Sequence, residues 1–246
     1  MVQTRETRAS ASEIKFLVDL DDAPRILAWA RAELQPDPYG AGPFGDQYET
    51  TSLYFDTDDL DVFHRRGSFG RAKYRIRRYG GSDMVFLERK LRKPGILVKR
   101  RTADVIDALA RLETAGSDPG WPGEWFRRRL LARRLRPVCQ VSYHRAARVI
   151  VCTDGLARLT LDGGLRAVSI DAPAFTGGAG VPVLEDRMIL ELKYCVRVPA
   201  IFRRLIEAFA LEPQAASKYR LSMAALGHAS PLALAGMISG TNASYA

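Results

Sequence analysis

Lys73-Tyr74-Arg75-Ile76-Arg77-Arg78-Tyr79, joined through Gly80-Gly81-Ser82-Asp83 to Val85-Phe86-Leu87-Glu88-Arg89-Lys90-Leu91-Arg92, decides the reading of this chain. Successive side chains of a β-strand point to opposite faces. Lys73, Arg75 and Arg77 therefore share one face, with Tyr74 and Ile76 on the other. In the second run Glu88, Lys90 and Arg92 oppose Val85, Leu87 and Leu91, and Arg89 is an interruption. The Gly-rich connection suits a hairpin, because glycine takes the positive φ that tight turns require. The two strands are expected to pair with their charged faces coincident.

Any one such strand reads most simply as part of an ordinary sheet with a solvated polar face. Recurrence argues for more. Glu13-Ile14-Lys15-Phe16-Leu17-Val18 puts Glu13 and Lys15 together, Ile189-Leu190-Glu191-Leu192-Lys193-Tyr194 does the same with Glu191 and Lys193, and Arg158-Leu159-Thr160-Leu161-Asp162 repeats the alternation. A closed antiparallel β-barrel of about eight strands, charges inward and apolar face outward beneath flanking helices, would gather these residues around one lumen. The fold class is α+β, and such a lumen would bind anions.

With 246 residues the chain is long enough for a sizeable core. Lys and Arg number 37 against 28 Asp and Glu, a formal charge of +9 that favours a polyanionic partner. Cys139, Cys152 and Cys195 lack metal-type spacing and sit in apolar contexts, which suits reduced thiols and the cytoplasm. Residues 1–11 are polar and read as a disordered N-terminus without a secretory signal, 12–227 as a single tunnel domain, and 228–246 as a flexible tail. Within the tail, the apolar run from Pro231 to Ile238 is too short to cross a bilayer of about 30 Å. Membrane association would therefore need a partner protein.

Helices are expected over 23–34, 59–65, 103–113, 124–134 and 200–211, with a last one opening at Ser217. Pro94-Gly95 reads as a turn, and Gly163-Gly164 as the hairpin turn that ends a strand over 155–162. Strands are also expected over 138–146 and 148–153. The helix over 124–134 carries Arg127, Arg128, Arg129, Arg133 and Arg134. It presents either a solvated face or a docking surface for acidic lipid or polyphosphate.

Phosphate oxygens suit such faces, since the arginine fork binds two of them at once and lysine acts as a mobile point charge. Glu13, Glu88 and Glu191 could pair with the cations or offer hard oxygen ligands to Mg²⁺ or Mn²⁺. Phosphoryl transfer rests on positioning and charge stabilisation, so it needs no nucleophile–base constellation. His64, His144 and His228 show no mutual spacing, and P-loop and dinucleotide-binding glycine motifs are absent from the sequence. Alternation places Tyr74 opposite Arg75, which disfavours base stacking, so no nucleic-acid partner is expected.

The ordered set Glu13-Ile14-Lys15-Phe16, Ser52-Leu53-Tyr54-Phe55-Asp56, Tyr74-Arg75-Ile76-Arg77, Leu87-Glu88-Arg89-Lys90, Tyr143-His144-Arg145, Arg158 to Asp162, Leu190-Glu191-Leu192-Lys193 and Ser217-Lys218-Tyr219 resembles the VTC-type polyphosphate polymerase domain of the CYTH, or triphosphate tunnel metalloenzyme, superfamily. The resemblance implies an enzyme that transfers the γ-phosphoryl group of ATP to inorganic polyphosphate with Mn²⁺ or Mg²⁺. It implies Lys15, Arg75, Arg77, Lys90, Lys99, Arg145, Arg158, Lys193 and Lys218 as phosphate ligands. Arg75, Arg77, Lys90 and Glu191 would carry catalysis, with Glu191 as the metal carboxylate. Two features depart from the pattern. Ala11 stands where the hydrolytic relatives open with a further glutamate, and Gln214-Ala215-Ala216 lacks a lysine common in the polymerase branch. Hydrolysis of tripolyphosphate or a nucleoside triphosphate, and non-catalytic binding of polyphosphate or phosphoinositide, are the alternatives.

Overall fold

The computed structural model describes residues 5–8, 12–93, 96–229 and 236. Its strands are β1 (Arg5–Arg8), β2 (Ser12–Asp19), β3 (Gln35–Pro36), β4 (Gln47–Asp56), β5 (Ala72–Tyr79), β6 (Met84–Lys93), β7 (Ile96–Val105), β8 (Arg136–Cys152), β9 (Gly155–Ser169), β10 (Val181–Pro182) and β11 (Arg187–Tyr194). Its α-helices are α1 (Ala23–Glu33), α2 (Asp61–His64), α3 (Glu124–Ala132), α4 (Ala200–Ala208) and α5 (Lys218–Met223). The fold is α+β, an antiparallel sheet with flanking helices.

Hydrogen bonding follows the order β1-β7-β6-β5-β4-β8-β9-β11-β2, with β10 on β9 and β3 on β8. This path is open, which corrects the expected closed barrel of about eight strands. Alternation reports which side chains share a face, whereas closure depends on strand tilt and stagger, which alternation does not encode. Three local expectations change as well. Residues 5–8, read as part of a disordered N-terminus, pair with β7, Arg5 opposite Arg101 and Arg8 opposite Val98. The segment 103–113 extends β7 to Val105 and then forms a 3₁₀ turn over Ile106–Leu112 in place of an α-helix. Gly163-Gly164 lies inside β9, where a Cβ on Gly163 would fall 2.3 Å from Met188 Cε and Gly164 takes φ +61° within the strand. These glycines mark close approach rather than a reversal. The expected Pro94-Gly95 turn and most of the expected tail lie outside the described residues.

The chain is made of two compact units, described separately below. One draws on Met1–Ala9, Thr50–Ser142 and Ala167–Val181, the other on Ser10–Glu49, Tyr143–Arg166 and Pro182–Ala246. In the first unit β5 pairs with β6 in register, Arg75 opposite Glu88 and Ile76 opposite Leu87, as the hairpin reading requires. Its apolar face buries Leu53, Phe55, Tyr74, Ile76, Val85 and Leu87, and α3 covers it. Phe126 of α3 sits edge-on to Phe55, ring centroids 5.6 Å apart. The buried Asp56 carboxylate accepts the backbone N–H groups of Thr57, Val62 and Phe63 at 2.8–2.9 Å, which fixes the start of α2.

In the second unit β2 pairs with β11, and β11 with β9. Ile14, Phe16, Val18, Leu159, Leu161, Leu190 and Leu192 form the apolar face, closed by Ile26 and Ala30 of α1 and by Phe202 and Leu205 of α4. Burying each aliphatic side chain contributes about 1.5–3 kcal/mol. Register is therefore strongly fixed, because a one-residue slip would turn every charge into the core. The polar residues are thus committed to the opposite face.

Candidate functional site

In the first unit, register lines the polar residues of β4 to β7 into rows. Lys73, Lys90 and Lys99 stand opposite one another, as do Arg75, Glu88 and Arg101, and Ser52 faces Arg77. Glu88 is the centre of this face and only 2% exposed. Its Oε2 accepts from Arg75 Nε at 2.7 Å, and its Oε1 lies 2.8 Å from Lys99 Nζ and 3.4 Å from Arg101 Nε. Burial pushes the Glu88 pKa up, but Arg75, Arg77 and Lys99 outweigh it and hold the carboxyl well below its usual range. Arg77 Nε donates to Ser52 Oγ at 3.1 Å. The Arg101 guanidinium lies 3.6 Å from the Phe86 ring centroid, a contact that helps hold its plane.

In the second unit the rows are Lys15, Glu191 and Thr160, and Glu13, Lys193 and Arg158. Glu191 is again a buried carboxylate among cations. Its Oε1 lies 3.1 Å from Lys15 Nζ and 3.3 Å from Lys218 Nζ, and its Oε2 accepts from Lys193 Nζ at 2.6 Å. Burial opposes its ionisation, yet Lys15, Lys193, Lys218 and Arg145 hold its pKa well below the usual range. Asp162, fully buried, takes both Arg145 Nε and Nη2 at 2.6 and 2.7 Å and Lys218 Nζ at 2.6 Å. Ser217 caps α5 by accepting from the Arg220 N–H at 3.4 Å, and so places Lys218 at the first helical turn.

Counting donors ranks the cations of this unit. An ammonium group has three N–H donors. Lys15 meets Ala216 O at 3.0 Å, Glu191 and Glu13, so its three are engaged within the protein. Lys218 meets two carboxylates, with the Tyr143 ring 5.1 Å from its Nζ. Lys193 has Glu191 as its partner among the described residues, its side chain is 34% exposed, and burial lowers its pKa. Lys193 is therefore the cation of this group with most donor capacity left for an incoming anion. Arg158 is tied to Tyr48 Oη at 2.5 Å and to Asp37 at 2.9 Å.

Three ligand-type side chains do not gather into a metal-holding group among the described residues. Mg²⁺, however, is usually held by one or two carboxylates together with substrate phosphates. Glu13 and Glu191 converge on one cation, Lys15 Nζ, at 3.4 and 3.1 Å. That pair has the donor chemistry for a divalent ion. Glu88, also expected to offer a ligand oxygen, lies in the first unit with Arg75, Lys99 and Arg101 around its carboxylate.

The structure thus places Arg75, Arg77, Lys90 and Lys99 on one unit, and Lys15, Arg145, Arg158, Lys193, Lys218, Glu13 and Glu191 on the other. Alternation alone misses Asp162 as the partner of Arg145 and Lys218, although its place two residues after Thr160 already shows its face. Tyr143, two residues before Arg145, carried the same signal. Asp37, in the Pro/Gly-rich loop after α1, carried none.

An antiparallel α+β fold thus sets buried carboxylates among rows of lysine and arginine on its polar strand faces. The chain belongs to the VTC domain family, whose profile matches residues 10–227. A Bacillus halodurans protein provisionally named an adenylate cyclase is similar to it at 16% identity, over 86% of this chain and 95% of its own, with a TM-score of 0.55. The PH1819 protein of Pyrococcus horikoshii is 14% identical over 88% of this chain and 98% of its own, TM-score 0.50. These two likenesses bear on the fold alone. A Hippeastrum protein, HpAC1, provisionally named an adenylyl cyclase and described as having a dominant triphosphatase activity, is 16% identical over 92% and 99%, TM-score 0.49. No curated protein matches the chain significantly.

Proposed function

We propose that this protein transfers the γ-phosphoryl group of ATP to a growing inorganic polyphosphate chain. The observation that carries the reading is the pairing of recurrent cation rows with buried carboxylates, on two units of a VTC-family chain. Arg75, Arg77, Lys90 and Lys99 bind phosphates along one face, and Lys193, Lys218, Arg145 and Arg158 along the other. Lys15 sets the positions of Glu13 and Glu191. Glu191 and Glu13 would hold Mn²⁺ or Mg²⁺, which when bound would neutralise charge developing on the phosphate.

The residues supply the rest through position and charge. Glu88 and Asp162 hold the guanidinium groups of Arg75 and Arg145 in fixed planes, so their remaining N–H donors are pre-aimed at equatorial phosphate oxygens. Oxygens of the transferred group gain charge-assisted bonds as the γ-phosphoryl bond to ADP loosens. The acceptor is the terminal phosphate of the chain, already ionised at neutral pH, so the step needs no strong general base.

One observation favours a second reading. Both buried glutamates, Glu88 and Glu191, are already satisfied by protein cations, as they would be in a non-catalytic polyphosphate-binding module. Incubation with ATP and Mn²⁺ or Mg²⁺ separates the possibilities. Long polyphosphate supports the transferase, free phosphate alone makes the protein a triphosphatase, and stabilisation by polyphosphate without turnover makes it a module. Glu191→Gln abolishes turnover in the first two cases, and undiminished turnover removes Glu191 from the site.

A further inference from the structure

Helix α3 carries Arg127, Arg128 and Arg129, Arg133 caps its C-terminus and Arg134 follows, so it ends two residues short of the expected helix over 124–134, and the structure sorts these five. Arg127 turns inward, bonding Glu124 at 2.7 and 2.9 Å, and Arg133 donates to Ser68 Oγ at 3.0 Å above the Phe69 ring. Arg128, Arg129 and Arg134 are exposed, and their side chains have no hydrogen-bond or ion-pair partner among the described residues. Between them stands Leu131, 61% exposed, although Phe126 and Leu130 of the same helix are buried. Arg128 and Leu131 are three residues apart and share one side of the helix.

Two anions would suit the arginines, and the leucine distinguishes them. A phosphate chain in water gains nothing from an aliphatic side chain. At a bilayer, guanidinium groups meet the headgroup phosphates while an apolar residue among them enters the acyl boundary. We propose that this end of α3 docks the protein on an anionic phospholipid surface. The helix lies flat rather than inserting, because its other apolar residues already pack on the sheet. The contact is peripheral and salt-sensitive, since exposed charges are screened beyond about a Debye length.

The test is flotation of the full chain with phosphatidylcholine vesicles, with and without phosphatidylserine. Binding is expected on the phosphatidylserine vesicles, falling as salt rises. Each arginine near such a surface is worth about a fivefold gain in partitioning, so Arg128→Gln, Arg129→Gln and Arg134→Gln together lower it on the order of a hundredfold. Leu131→Ser, at an exposed site that leaves folding intact, weakens vesicle binding several-fold and leaves tripolyphosphate binding unchanged. Absence of flotation, equal flotation with pure phosphatidylcholine, or a triple variant that floats like the parent would overturn the proposal. So would loss of tripolyphosphate rather than vesicle binding on Leu131→Ser, which would make the patch a polyphosphate surface.

Discussion

Replacing Glu88 with glutamine keeps shape and removes one charge from the centre of the first unit's polar face. Breaking a buried ion pair from one side generally costs about 3–5 kcal/mol. Here the partners Arg75, Lys99 and Arg101 keep 25%, 40% and 33% of their side-chain surface in water, so solvent takes over part of the lost carboxylate. The expected loss is then about 2–3 kcal/mol, with an uncompensated cluster of cations as its source. For a chain of this size that lowers the melting temperature by about 4–12 °C. The same substitution should strengthen anion binding. Even at the dielectric of water, a unit charge 4 Å away is worth about 1 kcal/mol, so tripolyphosphate should bind about fivefold tighter at low salt. Thermal melts with and without tripolyphosphate, backed by calorimetric titration, measure both effects. A variant that melts with the parent and binds tripolyphosphate no tighter would refute Glu88 as an anchor and its face as a phosphate site.

Asp162→Asn leaves Arg145 and Lys218, each only 7% exposed in their side chains, without their shared carboxylate. The expected cost is about 3–5 kcal/mol in a denaturant melt, larger than for Glu88→Gln because these cations are less exposed to water. Stability should also fall in acid. The folded-state pKa of Glu88 lies below its unfolded value, so its contribution is complete above the unfolded value near 4.3 and is lost as pH falls through the folded one. Melts at successive pH values below about 5 should therefore be less steep in pH for Glu88→Gln than for the parent. Glycine substitutions should split. Gly40→Ala sets a Cβ 2.1 Å from the Gly45 carbonyl oxygen and should cost about 1–3 kcal/mol, whereas Gly163→Ala meets only the mobile end of Met188 and should cost less than about 1 kcal/mol.

The polar faces were legible because one physical constraint wrote them. A strand packed beneath α1 and α4 must alternate, and Glu13, Lys15, Glu191, Lys193, Arg158 and Asp162 all occupy the polar phase of that alternation. The same constraint is silent about partners along the third dimension. Alternation cannot say that Asp162 will hold Arg145 from the neighbouring strand and Lys218 from a helix more than fifty residues away, because that choice follows from register and from where α5 docks. It is equally silent about closure, so the open strand path could not be read from it. Gly163-Gly164 was misread for a related reason. Glycine marks both a turn and a close approach, and only the neighbour, here Met188, decides between them. Arg127 shows the limit in miniature. Charge count made it one of five surface cations, whereas an i,i+3 glutamate at position 124 was the local sign that it would be turned inward and neutralised. A buried glutamate three residues before an arginine on a helix, as Glu124 is before Arg127, is the local sign of a cation that braces the fold. Arg128, Arg129 and Arg134 lack such a partner among the described residues, and Lys193 keeps 34% of its side chain exposed, so these cations retain capacity to bind something other than the protein itself.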